Sequence, residues 1–253
     1  MIDLHCHLLP GIDDGPADLD GTLAMARAHV DAGVGTVACT PHITWDTRNR
    51  AADIAAAVET VQRQLDDAGI PLRLVSGGEL GLTLAVEEVD DEIAALHLGG
   101  GPWALIEPPI SVPVPGLESM IGTIQARGHR VLIAHPERCA SFHQRPELLE
   151  RLVEQGAIAQ ATVGAVTGEF GRPVQRLVGR YVRDGLIHVM ASDAHDVRRR
   201  PPGLAEPLHK AGQPDALIDW WCREVPRAIL DGTDLPERPY VPEPRRRWWR
   251  RGR

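Results

Sequence analysis

Two histidines one residue apart, His5 and His7, sit in the run Ile2-Asp3-Leu4-His5-Cys6-His7. In a strand, alternate side chains share a face, so both imidazoles can reach one metal ion. The same logic recurs along the chain, where short apolar runs lead into a polar residue. Val37-Ala38-Cys39-Thr40-Pro41 leads to His42, Leu72 to Gly78 leads to Glu79, and Ala104-Leu105-Ile106 leads to Glu107. Val131-Leu132-Ile133-Ala134 leads to His135, and Ile187 to Ser192 delivers Asp193 and His195. Asp14, in Gly11-Ile12-Asp13-Asp14-Gly15, adds a carboxylate from the first loop. These nine residues combine imidazole and carboxylate without thiolate, a donor set suited to manganese, iron or zinc. The chemistry they suggest is metal-dependent hydrolysis.

A competing nucleophile is Cys139, which with Arg145 satisfies the C-x5-R spacing of cysteine-dependent phosphatases. Such a loop must turn its backbone N–H groups around an anion and normally leads into a helix N-terminus. Here no glycine lies between the two residues and Pro146 follows the arginine, so Cys139 reads as a small residue beside the metal site. Cys6 should point away from His5 and His7 into packing. His29, His97, His129, His143, His188 and His209 lack the strand-end setting and read as surface or ordinary structural residues, with His143 nearest the Arg138 loop.

These residues need elements that bring strand ends together. Strand-like and helix-like patterns alternate along the chain, the signature of parallel strands with helical crossovers. Leu19, Leu23, Ala26 and Val30 mark an amphipathic helix ending near Gly33. Further helices are expected at about 49–68, 116–128, 145–155, 171–184, 203–211 and 215–223, with about seven strands between them. No G-x-G-x-x-G follows the first strand. Polar residues converging from many strands fit an α/β fold of the distorted seven-stranded (β/α) barrel kind, with the site at the C-terminal ends of the strands.

At 253 residues the chain suffices for one barrel-sized domain, expected over 1–235. The 43 % hydrophobic and 25 % charged composition is that of a globular protein. No apolar run is long enough for a bilayer, and four scattered cysteines suggest reduced thiols, so a cytoplasmic location is expected. A net charge of −8 argues against nucleic-acid binding by the body. Residues 236–253 form a Pro-rich, then Arg/Trp-rich tail. Arg245 to Arg253 holds six arginines around Trp248 and Trp249; removing six positive charges from −8 leaves −14. Weak contact of this tail with an anionic membrane surface is one expectation, and a terminus without fixed structure is the other.

The opening Met1 to Gly15, Thr40-Pro41-His42, Ala134-His135-Pro136-Glu137-Arg138, and Ser192-Asp193-Ala194-His195 followed by Arg200-Pro201-Pro202 occur in order over residues 1–232. Together they closely resemble bacterial PHP-type (polymerase and histidinol phosphatase) tyrosine phosphatases encoded with capsule and exopolysaccharide genes. The resemblance implies three divalent ions, usually manganese. His5, His7, Glu79 and Asp193 would hold one; Glu79, Glu107 and His135 the second, with Glu79 bridging; and Asp14, His42 and His195 the third. It also implies that Arg138 and Arg200 contact phosphate. Cys139 after Arg138, and Leu80-Gly81-Leu82 after Glu79, depart from the usual pattern and bear on substrate preference.

The implied substrate is phosphotyrosine on a bacterial tyrosine kinase, whose membrane attachment would place the enzyme nearby. In-line attack by metal-bound hydroxide would need no phosphoenzyme, and planar guanidinium groups suit phosphate oxygens. A phenolate leaving group, pKa about 10, needs little proton assistance; His42 or Asp193 would be the acid if one acts. Two rivals stand beside this expectation: a phosphatase of a small phosphomonoester such as histidinol phosphate, and a non-catalytic metal-binding kinase regulator. The complete set of nine ligand candidates disfavours the regulator.

Overall fold

The structure is a computed structural model that describes residues 1–241. The Arg/Trp-rich segment of the tail lies outside the described residues. Among the described residues, nine strand segments form two all-parallel sheets rather than the single seven-stranded sheet expected. The first joins β1 (Ile2–Cys6), β2 (Thr36–Cys39) and β4 (Arg73–Ser76) in the order β1-β2-β4. The second runs β3-β5-β6-β7-β8-β9, where β3 is His42–Ile43, β5 is Glu79–Gly81 and β6 is Trp103–Glu107. Arg130–Ala134 is β7, Ile158–Thr162 is β8 and Val189–Ala191 is β9.

The count exceeds seven because two runs are interrupted. Thr40-Pro41 separates β2 from β3, and Pro41 has no N–H to continue a ladder. Gly77-Gly78 separates β4 from β5, where a Cβ at Gly78 would stand 2.5 Å from Ile43 Cδ1. His42 and Glu79 therefore open short new segments instead of closing long ones, and they are direct partners in the β3–β5 register. At the other margin, β1 touches the segment after β9 through a parallel bridge between Cys6 and Ala194. Asp193 N donates to His5 O and His7 N donates to Ala194 O, each at 2.9 Å.

Helices pack outside the strands. Leu19–Asp31 starts where Asp18 Oδ1 accepts from Gly21 N at 2.9 Å, satisfying an otherwise orphan amide. Ala51–Asp67 buries Ala51, Ile54, Val58, Val61 and Leu65, a stripe at helical spacing. The expected helices at 116–128, 145–155, 171–184 and 203–211 occur as Leu117–Ala126, Leu148–Glu154, Arg172–Arg183 and Ala205–Lys210. Asp215–Asp219 runs through a π-helical turn, Trp220–Glu224, into Val225–Asp231, further than expected. The short helices Leu82–Ala85, Asp90–Ala95, Ala140–Gln144 and Val163–Thr167 were not foreseen, since one turn carries almost no periodic signal.

Sheets covered on both faces bury whole strands. Val131, Leu132, Ile133 and Ala134 of β7 are all fully buried, as are Ala104, Leu105 and Ile106 of β6. This apolar floor holds the strand ends in place. After Asp231, Trp220 Nε1 donates to Pro236 O at 3.0 Å and Arg238 Nη2 to Val182 O at 3.1 Å, tying the Pro-rich segment to the body.

Candidate metal centre

The nine expected ligands converge at one end of the strands. Among the described residues, the groups able to hold an ion are His7-Asp14-His42-His195, His5-His7-Asp193, His5-Glu79-His135 and His42-Glu79-Glu107, and between them they contain all nine. His5 Nε2 lies 3.2 Å from Glu79 Oε1 and 3.4 Å from Asp193 Oδ1. His7 Nε2 lies 3.4 Å from both Glu79 Oε2 and Asp193 Oδ1. His135 Nε2 is 2.9 Å from Glu79 Oε1 and 3.7 Å from Glu107 Oε1. Asp14 Oδ1 sits between His42 Nε2 at 3.4 Å and His195 Nε2 at 3.2 Å. Glu79 is thus central and fully buried, whereas the Asp14 side chain is 63 % exposed and marks the open edge.

Outer partners fix which ring nitrogen faces inward, and sequence reasoning missed them. His5 Nδ1 is 2.9 Å from Gln160 Oε1, and His7 Nδ1 is 2.7 Å from Asp13 Oδ2. His195 Nδ1 is 2.9 Å from the Asp193 carbonyl oxygen. Each of these acceptors calls for an N–H at Nδ1, which leaves Nε2 with its lone pair pointing into the centre. The only hint in the sequence was that Asp13 adjoins Asp14 and that Gln160 is a polar residue inside an apolar strand.

That arrangement bears on whether cations fit. His5 Nε2 and His7 Nε2 face each other at 3.3 Å, so with both Nδ1 protons committed two lone pairs oppose. His42 Nδ1 and Glu79 Oε2 lie 2.8 Å apart, yet each is buried without a hydrogen-bond partner. Four carboxylates, the exposed Asp14 and the largely buried Glu79, Glu107 and Asp193, face two guanidinium groups, an excess of negative charge that a divalent cation offsets. The residues fit bound metal.

Titration directions say the same. Burial pulls His5 down, but Glu79 and Asp193 outweigh it and raise its pKa. His7 is raised well above the usual histidine range against its burial by Asp13, Asp193 and Glu79. Burial raises Glu107 to about 7, with Glu79 adding repulsion. Glu79 and Asp193 are held well below the carboxylate range despite burial, both chiefly through His5. Without metal, protons fill the role of countercharge.

The backbone is strained at this end. His135, at φ 29°, and Asp193, at φ 52°, are the non-glycine residues with positive φ among the described residues. Both are candidate ligands, and such sparsely populated conformations concentrate at functional sites.

Two arginines reach the margin of the centre. Arg138 Nη1 contacts Asp193 Oδ2 at 2.5 Å, and Arg200 Nη2 contacts the same oxygen. Arg138 stacks over Phe170 with 4.7 Å from Cζ to the ring centroid, and Arg200 Nη1 is 2.9 Å from His195 Nε2. Glu137, also missed, is fully buried and accepts from Thr162 N at 2.9 Å, tying the His135–Arg138 turn to β8.

Cys139 is fully buried, its thiol donating toward Pro108 O at 3.3 Å and His135 O at 3.5 Å. Burial holds it well above the usual thiol range, so no thiolate is available, and Arg145 is exposed. Cys6 faces the core beside His29, as expected. His29, His97 and His129 are buried, His188 is half-buried, and His143 and His209 are exposed; none belongs to a candidate ion group. His143 Nε2 instead donates to Glu137 O at 2.7 Å.

Residues 1–213 match the family described as Capsular polysaccharide synthesis, CpsB/CapC. The chain belongs to this family. It is 37 % identical over 236 residues to the tyrosine-protein phosphatase YwqE of Bacillus subtilis (strain 168), covering 93 % of this chain and 91 % of that protein. It is 26 % identical over 212 residues to the tyrosine-protein phosphatase CpsB of Streptococcus agalactiae serotype III, covering 81 % of this chain and 87 % of that one. A solved structure from work on YwqE of B. subtilis and CpsB of Streptococcus pneumoniae, described as unique metal-dependent tyrosine phosphatases, superposes with a TM-score of 0.82 at 33 % identity. That superposition covers 93 % of this chain and 96 % of the other. Dihydropyrimidinase of Brevibacillus agri, at 10 % identity and a TM-score of 0.51, shares the fold alone.

Proposed function

We propose that the protein is a metal-dependent phosphomonoesterase that hydrolyses phosphotyrosine on proteins. The observation that carries the reading is the convergence of nine imidazole and carboxylate ligands on one centre, with Arg138 and Arg200 both anchored on Asp193 at its margin. The phosphatase relatives support the choice of phosphotyrosine.

We assign three ions. His5, His7, Glu79 and Asp193 would hold the first; Glu79, Glu107 and His135 the second; and Asp14, His42 and His195 the third. Manganese is the metal proposed, with iron or zinc compatible with the same donors. Bound there, divalent ions supply charge neutralisation for the phosphoryl oxygens and a water nucleophile at neutral pH. Asp13 and Gln160 keep Nε2 of His7 and His5 free to ligate. Asp193 fixes the arginines, which present their remaining N–H groups to the phosphate; Arg200 Nε is buried without a protein partner and so is free to donate. Phe170 holds the Arg138 plane from below. A phenolate needs little proton assistance, and Asp193, held well below the carboxylate range, supplies none.

We read the strand segments as seven strands of a distorted barrel spanning residues 1–235: β2 runs on into β3, β4 into β5, and the Cys6–Ala194 bridge is the contact by which β1 would meet the last strand. No helix among the described residues is long and apolar enough to cross a membrane. The four unpaired cysteines suit a reducing compartment, and a cytoplasmic enzyme acting on a capsule-associated tyrosine kinase belongs to the same proposal.

The test is hydrolysis of phosphotyrosine peptide by metal-stripped protein before and after adding Mn2+, with Cys139→Ser alongside and histidinol phosphate as a second substrate. Activity that requires metal, survives Cys139→Ser and favours the peptide is expected. Metal-independent activity lost with Cys139 would refute the assignment, and preference for histidinol phosphate would move it to small phosphomonoesters.

A further inference from the structure

Single exposed apolar side chains are ordinary on a protein surface. Of the five large apolar side chains exposed among the described residues, Val89 and Tyr240 follow no candidate ligand and the other three do. Trp45 at 46 %, Val112 at 60 % and Val197 at 43 % exposure follow His42, Glu107 and His195 by three, five and two residues. Two of them sit in loops that are rigidly built and carry exposed arginines.

The first loop follows His42. Thr44 N donates to Thr47 O at 2.9 Å, and Thr44 Oγ1 accepts from Asp46 N at 3.3 Å and Thr47 N at 3.1 Å. An antiparallel bridge between Ile43 and Arg48 closes it. The Trp45 indole N–H donates to Thr83 Oγ1 at 3.1 Å, and Arg48 stacks 4.6 Å from the ring centroid. The second loop lies between His195 and Arg200, whose backbone groups close it with a 3.0 Å bond from His195 N to Arg200 O. Asp196 Oδ1 accepts from both Arg198 N and Arg199 N at 2.6 Å, which turns Val197, Arg198 and Arg199 outward. The two loops flank Asp14, since His42 and His195 both meet its Oδ1.

We propose that these loops are the two lips of a docking cleft for the polypeptide flanking the phosphotyrosine, selective for segments with acidic and apolar neighbours. The inference rests on the phosphotyrosine phosphatase reading. Charge complementarity carries it. The lips present Arg48, Arg198 and Arg199 against Asp46 and Asp196, one positive charge in excess, on a chain whose net charge is −8. A locally positive mouth on an acidic body attracts an acidic segment and repels a basic one. Trp45, held at its N–H and open on the side that Arg48 does not cover, is the apolar anchor, and Trp and Arg are the residue types that dominate such interfaces. The phosphate itself is handled below the lips by the metal centre and by Arg138 and Arg200.

Three substrates separate the possibilities: p-nitrophenyl phosphate, a phosphotyrosine peptide with Asp/Glu and Leu flanks, and the same peptide with Lys flanks. Wild-type protein should prefer the acidic peptide roughly tenfold in kcat/KM. Trp45→Ala and the double variant Arg198→Ala/Arg199→Ala should each raise KM for that peptide about tenfold, leave its kcat near wild type, and leave p-nitrophenyl phosphate unchanged. Equal turnover of the two peptides by wild type, or variants that match wild type on the acidic peptide, would overturn the cleft while the phosphatase reading stands. A parallel fall on p-nitrophenyl phosphate would mean the loops only support the metal centre. Wild-type protein inactive on every phosphotyrosine substrate would remove both readings.

Discussion

Asp13 was not among the expected ligands, and replacing it tests whether imidazole orientation controls metal binding. Its Oδ2 accepts from His7 Nδ1 at 2.7 Å and from His42 N at 3.1 Å, and its Oδ1 accepts from Gly15 N at 2.9 Å. In Asp13→Asn one oxygen becomes an NH2 donor, and every donor it meets is another N–H. With the oxygen toward His7 and His42, the amide opposes Gly15 N; flipped, it opposes His7 Nδ1–H and His42 N–H. In the flipped state His7 escapes only by moving its proton to Nε2, which removes the lone pair meant for the ion. The lost charge-assisted bond amounts to roughly 1.5–3 kcal/mol, consistent with a ~10–100-fold loss of metal affinity or activity on disrupting such an outer partner. Metal affinity is read by titrating metal-stripped protein with Mn2+ in a calorimeter, and activity on p-nitrophenyl phosphate follows from the same samples. Thermal unfolding of the metal-free proteins guards against a trivial folding defect. Affinity and activity both within about twofold of wild type would refute the claim that Asp13 sets the His7 tautomer.

Arg138→Lys and Arg200→Lys should each lower kcat/KM by roughly 10–100-fold with metal content unchanged by elemental analysis, because an ammonium cannot hold Asp193 and a phosphate in one plane; loss of metal instead would make these residues structural. His29 is buried and burial lowers its pKa to about 3, so from an unfolded-state value near 6.5 it stays neutral in the fold while the unfolded chain takes up a proton. Stability is therefore full above pH 6.5 and falls with acidification toward pH 3. Between pH 6.5 and 5 this amounts to roughly 2 kcal/mol, and urea unfolding of His29→Gln should show that much less acid sensitivity than wild type; equal slopes would refute the burial argument.

The strand-end ligands were legible because parallel strands present their C-terminal ends to one side, so a polar residue after an apolar run lands near the others whatever the loop lengths. His5 and His7 needed only the two-residue period of a strand. The candidate ligand pattern, the helix expected at about 49–68 and the poor case for Cys139 as nucleophile all rest on local chemistry; the helix forms over Ala51–Asp67, Cys139 is buried, and the candidate ligands lie together. Long-range partnership was not legible. Gln160 meets His5 across 155 residues and Glu137 meets Thr162 across 25, contacts that exist only once strand register is fixed. The break at Gly77-Gly78 splits a strand where Leu98 and Ile43 crowd the backbone, and no local propensity encodes that crowding. The positive φ of His135 and Asp193 belongs to the same class: a bulky residue adopts it only where surrounding contacts over-determine the backbone. Sequence alone determined which donors the candidate site contains; tertiary structure decided which nitrogen of His5 faces inward, because that choice is made by Gln160, an acceptor 155 residues away in the chain.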